Sequence, residues 1–144
     1  MRLTRYTDYS LRVLIYLGLK KDALATISEI AERYDISRNH IMKVVHELGK
    51  RGYIETIRGK GGGIRLRSAP SEINLGELVR AMESDFHIAE CFAQSGACRI
   101  APSCRLRGIL HDALKAFLAT LDAYSLADIL QSEQELMQLL RMPA

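Results

Sequence analysis

Apolar residues fall at relative positions 0, 3, 4 and 7 three times within the first fifty residues: Leu11, Leu14, Ile15, Gly18; Ile27, Ile30, Ala31, Tyr34; and Ile41, Val44, Val45, Leu48. That spacing places each set on one face of an α-helix, so the chain opens with three amphipathic helices that must share a core. Thr26 and Glu29 stand in capping-box order before the second helix, and Ser37 is a good N-cap for the third. The second and third helices are joined by the short turn Tyr34-Asp35-Ile36, which makes them a helix-turn-helix. After Gly52 the pattern changes. Tyr53–Ile57 and Ile64–Arg67 read as strands around Arg58-Gly59-Lys60-Gly61-Gly62-Gly63, a glycine-tipped basic hairpin. The expected fold is mainly α with a small β-hairpin wing: a winged helix-turn-helix domain followed by a long dimerisation helix. A phosphate-binding loop is a poor reading of these glycines, because the G-x-x-x-x-G-K-[ST] order is absent and no helix opens from them.

The third helix turns its apolar set inward, leaving Arg38, Asn39, His40, Lys43, His46, Glu47 and Lys50 on the other face. A donor-rich N-terminal end suits the major groove, where Arg pairs with guanine and Asn with adenine. Arg38, Asn39, His40 and Lys43 are the candidate base readers. Ser37 is a candidate phosphate contact, and Lys50, Arg58, Lys60 and Arg65 are candidates for phosphate or the minor groove. Charge supports this. Residues 1–70 hold 14 Lys and Arg against 7 Asp and Glu, whereas residues 71–144 hold 6 against 10. A basic module beside an acidic one fits a partner such as double-stranded DNA.

Ser68–Ser71 is a connector, Asn74 and Glu77 start a short helix through Met82, and periodicity is then lost until Cys104. From there an apolar stripe runs through Leu106, Ile109, Leu110, Ala113, Leu114, Phe117, Leu118, Leu121 and Tyr124, and two short helices follow. So wide a stripe outside a small winged domain calls for a partner, most simply a second copy in a two-fold dimer. The expected organisation is 1–70 for DNA binding, 71–104 for a connector helix and cysteine loop, and 105–144 for dimerisation and terminal helices. The longest apolar run, Val13–Leu19, is far short of the ~20 residues that cross a bilayer. No signal-peptide pattern stands at the start, so the expectation is a cytoplasmic protein with no membrane partner.

The three cysteines, Cys91, Cys98 and Cys104, all lie in the aperiodic stretch. An odd number in a reducing compartment points to metal or redox chemistry. Gaps of six and five residues are too wide for zinc knuckles and fit a loop wrapped round something larger, such as an iron-sulfur cluster, with Arg99, Arg105 and Arg107 nearby to balance its charge. Three thiolates leave one coordination position open. His87 and His111 are available by sequence, and a carboxylate from elsewhere is an alternative.

With Leu3-Thr4, Thr7-Asp8-Tyr9, Ser37-Arg38-Asn39-His40, Arg58-Gly59-Lys60, Gly62-Gly63-Ile64-Arg65-Leu66, Pro102, Cys104-Arg105-Leu106, Leu121-Asp122, Tyr124 and Leu126-Ala127-Asp128 added to the three cysteines, nearly the whole chain resembles the winged-helix iron-sulfur transcription regulators. It is most similar to that family's nitric-oxide-sensing repressors. The resemblance implies a homodimer crossing through the long helix and a cluster near the dimer interface. By position, Cys91, Cys98 and Cys104 match the thiolate ligands, and Asp8 matches a carboxylate that reaches the cluster from the other subunit. Read by itself, Asp8 is an ordinary first-turn acid. The family's regulators of cluster assembly carry a histidine three positions after the last cysteine; here that residue is Arg107.

The expected cofactor is an iron-sulfur cluster of the four-iron form (4Fe-4S), with the two-iron form (2Fe-2S) as the alternative. The expected function is a homodimeric repressor of operator DNA, with nitric oxide as the signal and cluster loss releasing the DNA. A sensor of iron or cluster status has the same architecture. An iron-sulfur electron carrier or redox enzyme leaves the basic half without a role, and no acid-base or nucleophile constellation marks an enzyme. A zinc-stabilised DNA-binding protein would be colourless.

Overall fold

The computed structural model describes residues 1–94 and 98–143. Helix α1 (Arg5–Lys20) starts where the Thr4 hydroxyl accepts the Thr7 amide at 3.3 Å. Helix α2 (Ile27–Tyr34) carries the complete capping box: Thr26 Oγ1 accepts the Glu29 amide at 3.0 Å, and Glu29 Oε2 accepts the Thr26 amide at 3.3 Å. Asp35 then takes the left-handed conformation at φ 52°, which closes α2 and turns the chain into α3 (Arg38–Lys50). Ser37 Oγ caps α3 by accepting the His40 amide.

The apolar sets of α2 and α3 meet as their spacing requires, with Ile30, Ala31, Ile41, Val44, Val45 and Leu48 buried. In α1 the burial is broader than the Leu11–Leu14–Ile15–Gly18 stripe. Val13, Tyr16 and Leu17 are fully buried, while Leu11 and Ile15 are half-buried. The reason is that α1 is packed by α3 and β2 and also by α4 and α6, so its inner surface wraps around the axis.

Strands β1 (Ile54–Ile57) and β2 (Gly63–Leu66) pair antiparallel, with Ile54 opposite Leu66 and Ile57 opposite Gly63. Ala25, between α1 and α2, exchanges two backbone hydrogen bonds with Ile64 and anchors the wing to the helices. A side chain at Gly63 would meet the Ala25 carbonyl oxygen at 2.7 Å, so this close approach requires glycine.

The core continues past the wing. Helix α4 (Leu75–Met82), capped by Asn74, contributes Leu78 and Met82, and Ile73 precedes it. A connector with 3-10 turns at Glu90–Phe92 and Ala101–Ser103 leads to α5 (Arg105–Asp122). Helix α6 (Leu126–Ile129) then returns Leu126 to the core, a 3-10 turn Leu130–Ser132 sets Leu130 against Gly18, and α7 (Glu133–Leu139) follows. None of the 18 residues of α5 is buried. Among the described residues no helix is long and apolar enough to cross a membrane.

Candidate functional site

The outward face of α3 is built by subtraction. With Ile41, Val44, Val45 and Leu48 turned into the core, the helix presents Arg38, Asn39, His40, Lys43 and Lys50, all exposed. These five therefore share one surface. Ser37, also exposed, spends its hydroxyl on the cap. Two contacts fix α3 against α1: the Tyr6 hydroxyl donates to the Lys43 carbonyl at 3.3 Å, and the Tyr9 ring lies 6.0 Å from the His40 ring. His40 is thus tied to α1 at its side, whereas Asn39 and Lys43 face away from the core.

Arg58 and Lys60 stand exposed at the wing tip, where Gly59 (φ 103°) and Gly61 (φ 74°) make the tight turn. Arg65 differs from these. Its Nε donates to Glu55 Oε1 at 2.6 Å across the hairpin, since the two residues are register partners on the paired strands. Sequence reading also missed two surface residues, Met42 and Arg67. Met42 belongs to none of the inward positions of the 0, 3, 4, 7 template, which is the signal that places it outside.

At the other end, Cys91 lies in the Glu90–Phe92 turn, Cys98 precedes the Ala101–Ser103 turn, and Cys104 is the N-cap residue of α5. All three are free thiols of intermediate exposure. Helix α5 begins with no side-chain cap hydrogen bond and no acid in its first turn, and that turn holds Arg105 and Arg107. Unsatisfied amides, the positive end of the helix dipole and two guanidiniums together favour an anion at Cys104. Thiolates from irregular backbone beside cations are the donor set that an iron-sulfur cluster takes, so the residues present fit the group. Among the described residues no three His, Cys, Asp or Glu side chains converge on a single-ion site. His111 stacks on Phe92 at 5.8 Å, next to Cys91, and His87 Nδ1 lies 3.6 Å from Asp85.

Asp8 sits in the first turn of α1, and Arg12 one turn on grips it with two hydrogen bonds, Nε to Oδ1 at 3.1 Å and Nη2 to Oδ2 at 2.8 Å. The same guanidinium lies over the rings of Tyr9 and Tyr34 at 5.7 and 6.0 Å. Burial pushes the Tyr34 phenol up to about 12, against the opposing pull of Arg12, so the ring beneath the guanidinium stays neutral. The i, i+4 order of Asp8 and Arg12 was a readable signal for this pair.

Residues 3–132 match the Rrf2 family, described as iron-dependent transcriptional regulator. The chain is 54% identical over 144 residues to the HTH-type transcriptional regulator NsrR of Bacillus subtilis strain 168, with 99% of each chain covered. IscR of T. potens is similar in structure with a TM-score of 0.75 at 20% identity, covering 94% of this chain and 90% of that one. The oxidized form of Staphylococcus aureus CymR gives 0.73 at 22% identity, with 91% and 97% covered. At those identities the two structures speak for the winged-helix fold alone. Since the sequence match runs through wing, connector and α5 alike, the chain belongs to the Rrf2 family of iron-dependent transcriptional regulators.

Proposed function

We propose that this chain is one subunit of a homodimeric repressor that binds operator DNA through α3 and the wing and senses nitric oxide through an iron-sulfur cluster. Residues 1–70 bind DNA, 71–104 supply the connector helix and the cluster-binding loop, and 105–144 supply the dimerisation helix and the C-terminal helices. The ligands are Cys91, Cys98 and Cys104 of one subunit and Asp8 of the other, and the cluster is the four-iron form. The observation that carries this reading is the junction at Cys104: a free cysteine at the N-cap position of a cationic helix start, on a helix with no fully buried residue in its own chain. The NsrR relationship, at 54% identity, supports it. When bound, the cluster supplies iron that nitric oxide attacks.

The protein's own part is positional. Two α3 helices must sit about one turn of DNA, ~34 Å, apart. A tie from the cysteine segment of one subunit to α1 of the other fixes that separation, and loss of the tie relaxes it. What supports Asp8 in that role is that Arg12 orients its carboxylate and that Arg12, Tyr9 and His40 form a run of contacts to the start of α3.

Anaerobic purification followed by nitric-oxide titration, with DNA binding measured at each step, tests the reading; release at stoichiometric nitric oxide is expected. Iron status is the second reading, supported by the family's iron dependence, and it predicts release by an iron chelator without nitric oxide. The cross-subunit ligand has its own test. Heterodimers of Asp8→Ala with Cys98→Ala chains keep one complete site if Asp8 acts across the dimer, and none if it acts within its chain.

A further inference from the structure

The outer face of α3 carries one apolar residue. Ile41, Val44, Val45 and Leu48 are 6% exposed or less, whereas Met42 is 48% exposed in the middle of a basic surface. It stands one helical turn before His46, which is also exposed and whose ring makes no hydrogen bond among the described residues. The two together form a ridge between two shallow clefts. One cleft is shared with Tyr6, Lys43 and Glu47 on the α1 side, and the other runs toward Lys50, Ile54 and Arg67 on the wing side. A cation therefore borders the ridge on each side: Lys43 on one, Lys50 and Arg67 on the other.

We propose that Met42 and His46 are specificity-determining residues that read a thymine beside a purine in each half-site. This rests on the DNA-binding reading above and deepens it. An α-helix enters the major groove with its ridge against base edges, while flanking cations meet the phosphates on either wall. The apolar feature on those edges is the thymine methyl group, and it is the natural contact for a thioether side chain. His46, one turn along the same face, brings a ring N–H to the N7 acceptor of the adjoining purine.

The test uses the anaerobically purified full-length protein and a duplex selected by it from a random library. Each thymine of the half-site is replaced singly by deoxyuridine, which lacks the methyl group, and each purine by its 7-deaza analogue. Wild-type protein should lose about fourfold in affinity at one thymine, the equivalent of burying one methyl group. Met42→Ala should be indifferent to that replacement, and Met42→Leu should restore the sensitivity. His46→Ala should be indifferent to the 7-deaza change at the neighbouring purine. Should Met42→Ala bind too weakly to measure, Met42→Gln keeps the length without the apolar surface. A Met42→Ala or Met42→Gln variant that retains the full deoxyuridine penalty overturns the assignment, as does a wild-type protein insensitive at every thymine. A selection that enriches no duplex overturns the DNA-binding reading, and this inference with it.

Discussion

Helices α3 and α5 make an instructive pair. The 13-residue α3 buries Ile41, Val44, Val45 and Leu48 against its own chain, whereas the 18-residue α5 has no fully buried residue, covers Leu110, Leu114, Phe117, Leu118 and Leu121 only in part and leaves Leu106 and Ile109 57% and 61% exposed. Both are amphipathic by sequence. The difference teaches that α3 finds its apolar cover within one chain, while α5 leaves an apolar stripe open that the proposed dimer would cover. The two halves should therefore fail in different ways.

The largest effect is expected at the cysteines. Cys104→Ala should yield colourless protein with operator affinity reduced about a hundredfold or more, ~2.7 kcal/mol, and thermal unfolding close to wild type, because no core residue is touched. Leu48→Ala should do the reverse, costing about 2–5 kcal/mol of stability while leaving the visible spectrum of the folded fraction intact. Visible absorption, iron content and a denaturant titration on the same preparations read both. A Cys104→Ala protein that keeps its colour would remove Cys104 from the ligand set.

This asymmetry also marks what the sequence could disclose. The caps at Thr26, Ser37 and Asn74, the three amphipathic helices and the glycine-tipped wing are local in the chain, and periodicity and capping determine them locally. Long-range packing was hidden. That α4 and α6 broaden the buried surface of α1, and that Leu126 returns to the core from near the end of the chain, depends on contacts between segments far apart in sequence, over a hundred residues in the case of α6. The pairing of Arg65, a candidate for phosphate or the minor groove, with Glu55 appears only once the hairpin register is known. At the second site the three thiols are legible from their clustering, whereas Asp8 enters only through the family resemblance, because a carboxylate in a first helical turn has an ordinary explanation of its own and the segment that carries the cysteines has no periodicity to say what meets it.

The next effect in size concerns the surface of α5 itself. Leu106→Glu with Ile109→Glu should convert a dimer to a monomer in sedimentation, since each buried aliphatic side chain is worth about 1.5–3 kcal/mol and a charge in its place opposes burial further. The winged half should still unfold cooperatively, as it takes no core residue from α5. Operator affinity should fall because two half-sites no longer bind as one unit. A double variant that stays dimeric would show that the α5 face is covered by something other than its copy.

The smallest effect lies where the two regions are fastened. Asp122, at the end of α5, accepts two hydrogen bonds from the Arg80 guanidinium of α4 at 2.5 and 2.8 Å, and its carbonyl accepts one from Asn74 Nδ2 at 2.7 Å. Gly76 makes room for this, since a side chain there would collide with the Asp122 carboxylate. The Arg80 hydrogen bond holds the Asp122 carboxyl below its ordinary value and raises that of Arg80. A carboxyl lowered on folding stabilises the native state above its unfolded pKa, and that contribution disappears as the pH falls through the lowered value. The pair is open to solvent, so the effect is small. Asp122→Asn should melt slightly below wild type at pH 7, and the gap should close as the pH falls below about 4, the ordinary aspartate range. A gap that stays constant into acid would mean that shape alone, without charge, fastens α5 to α4.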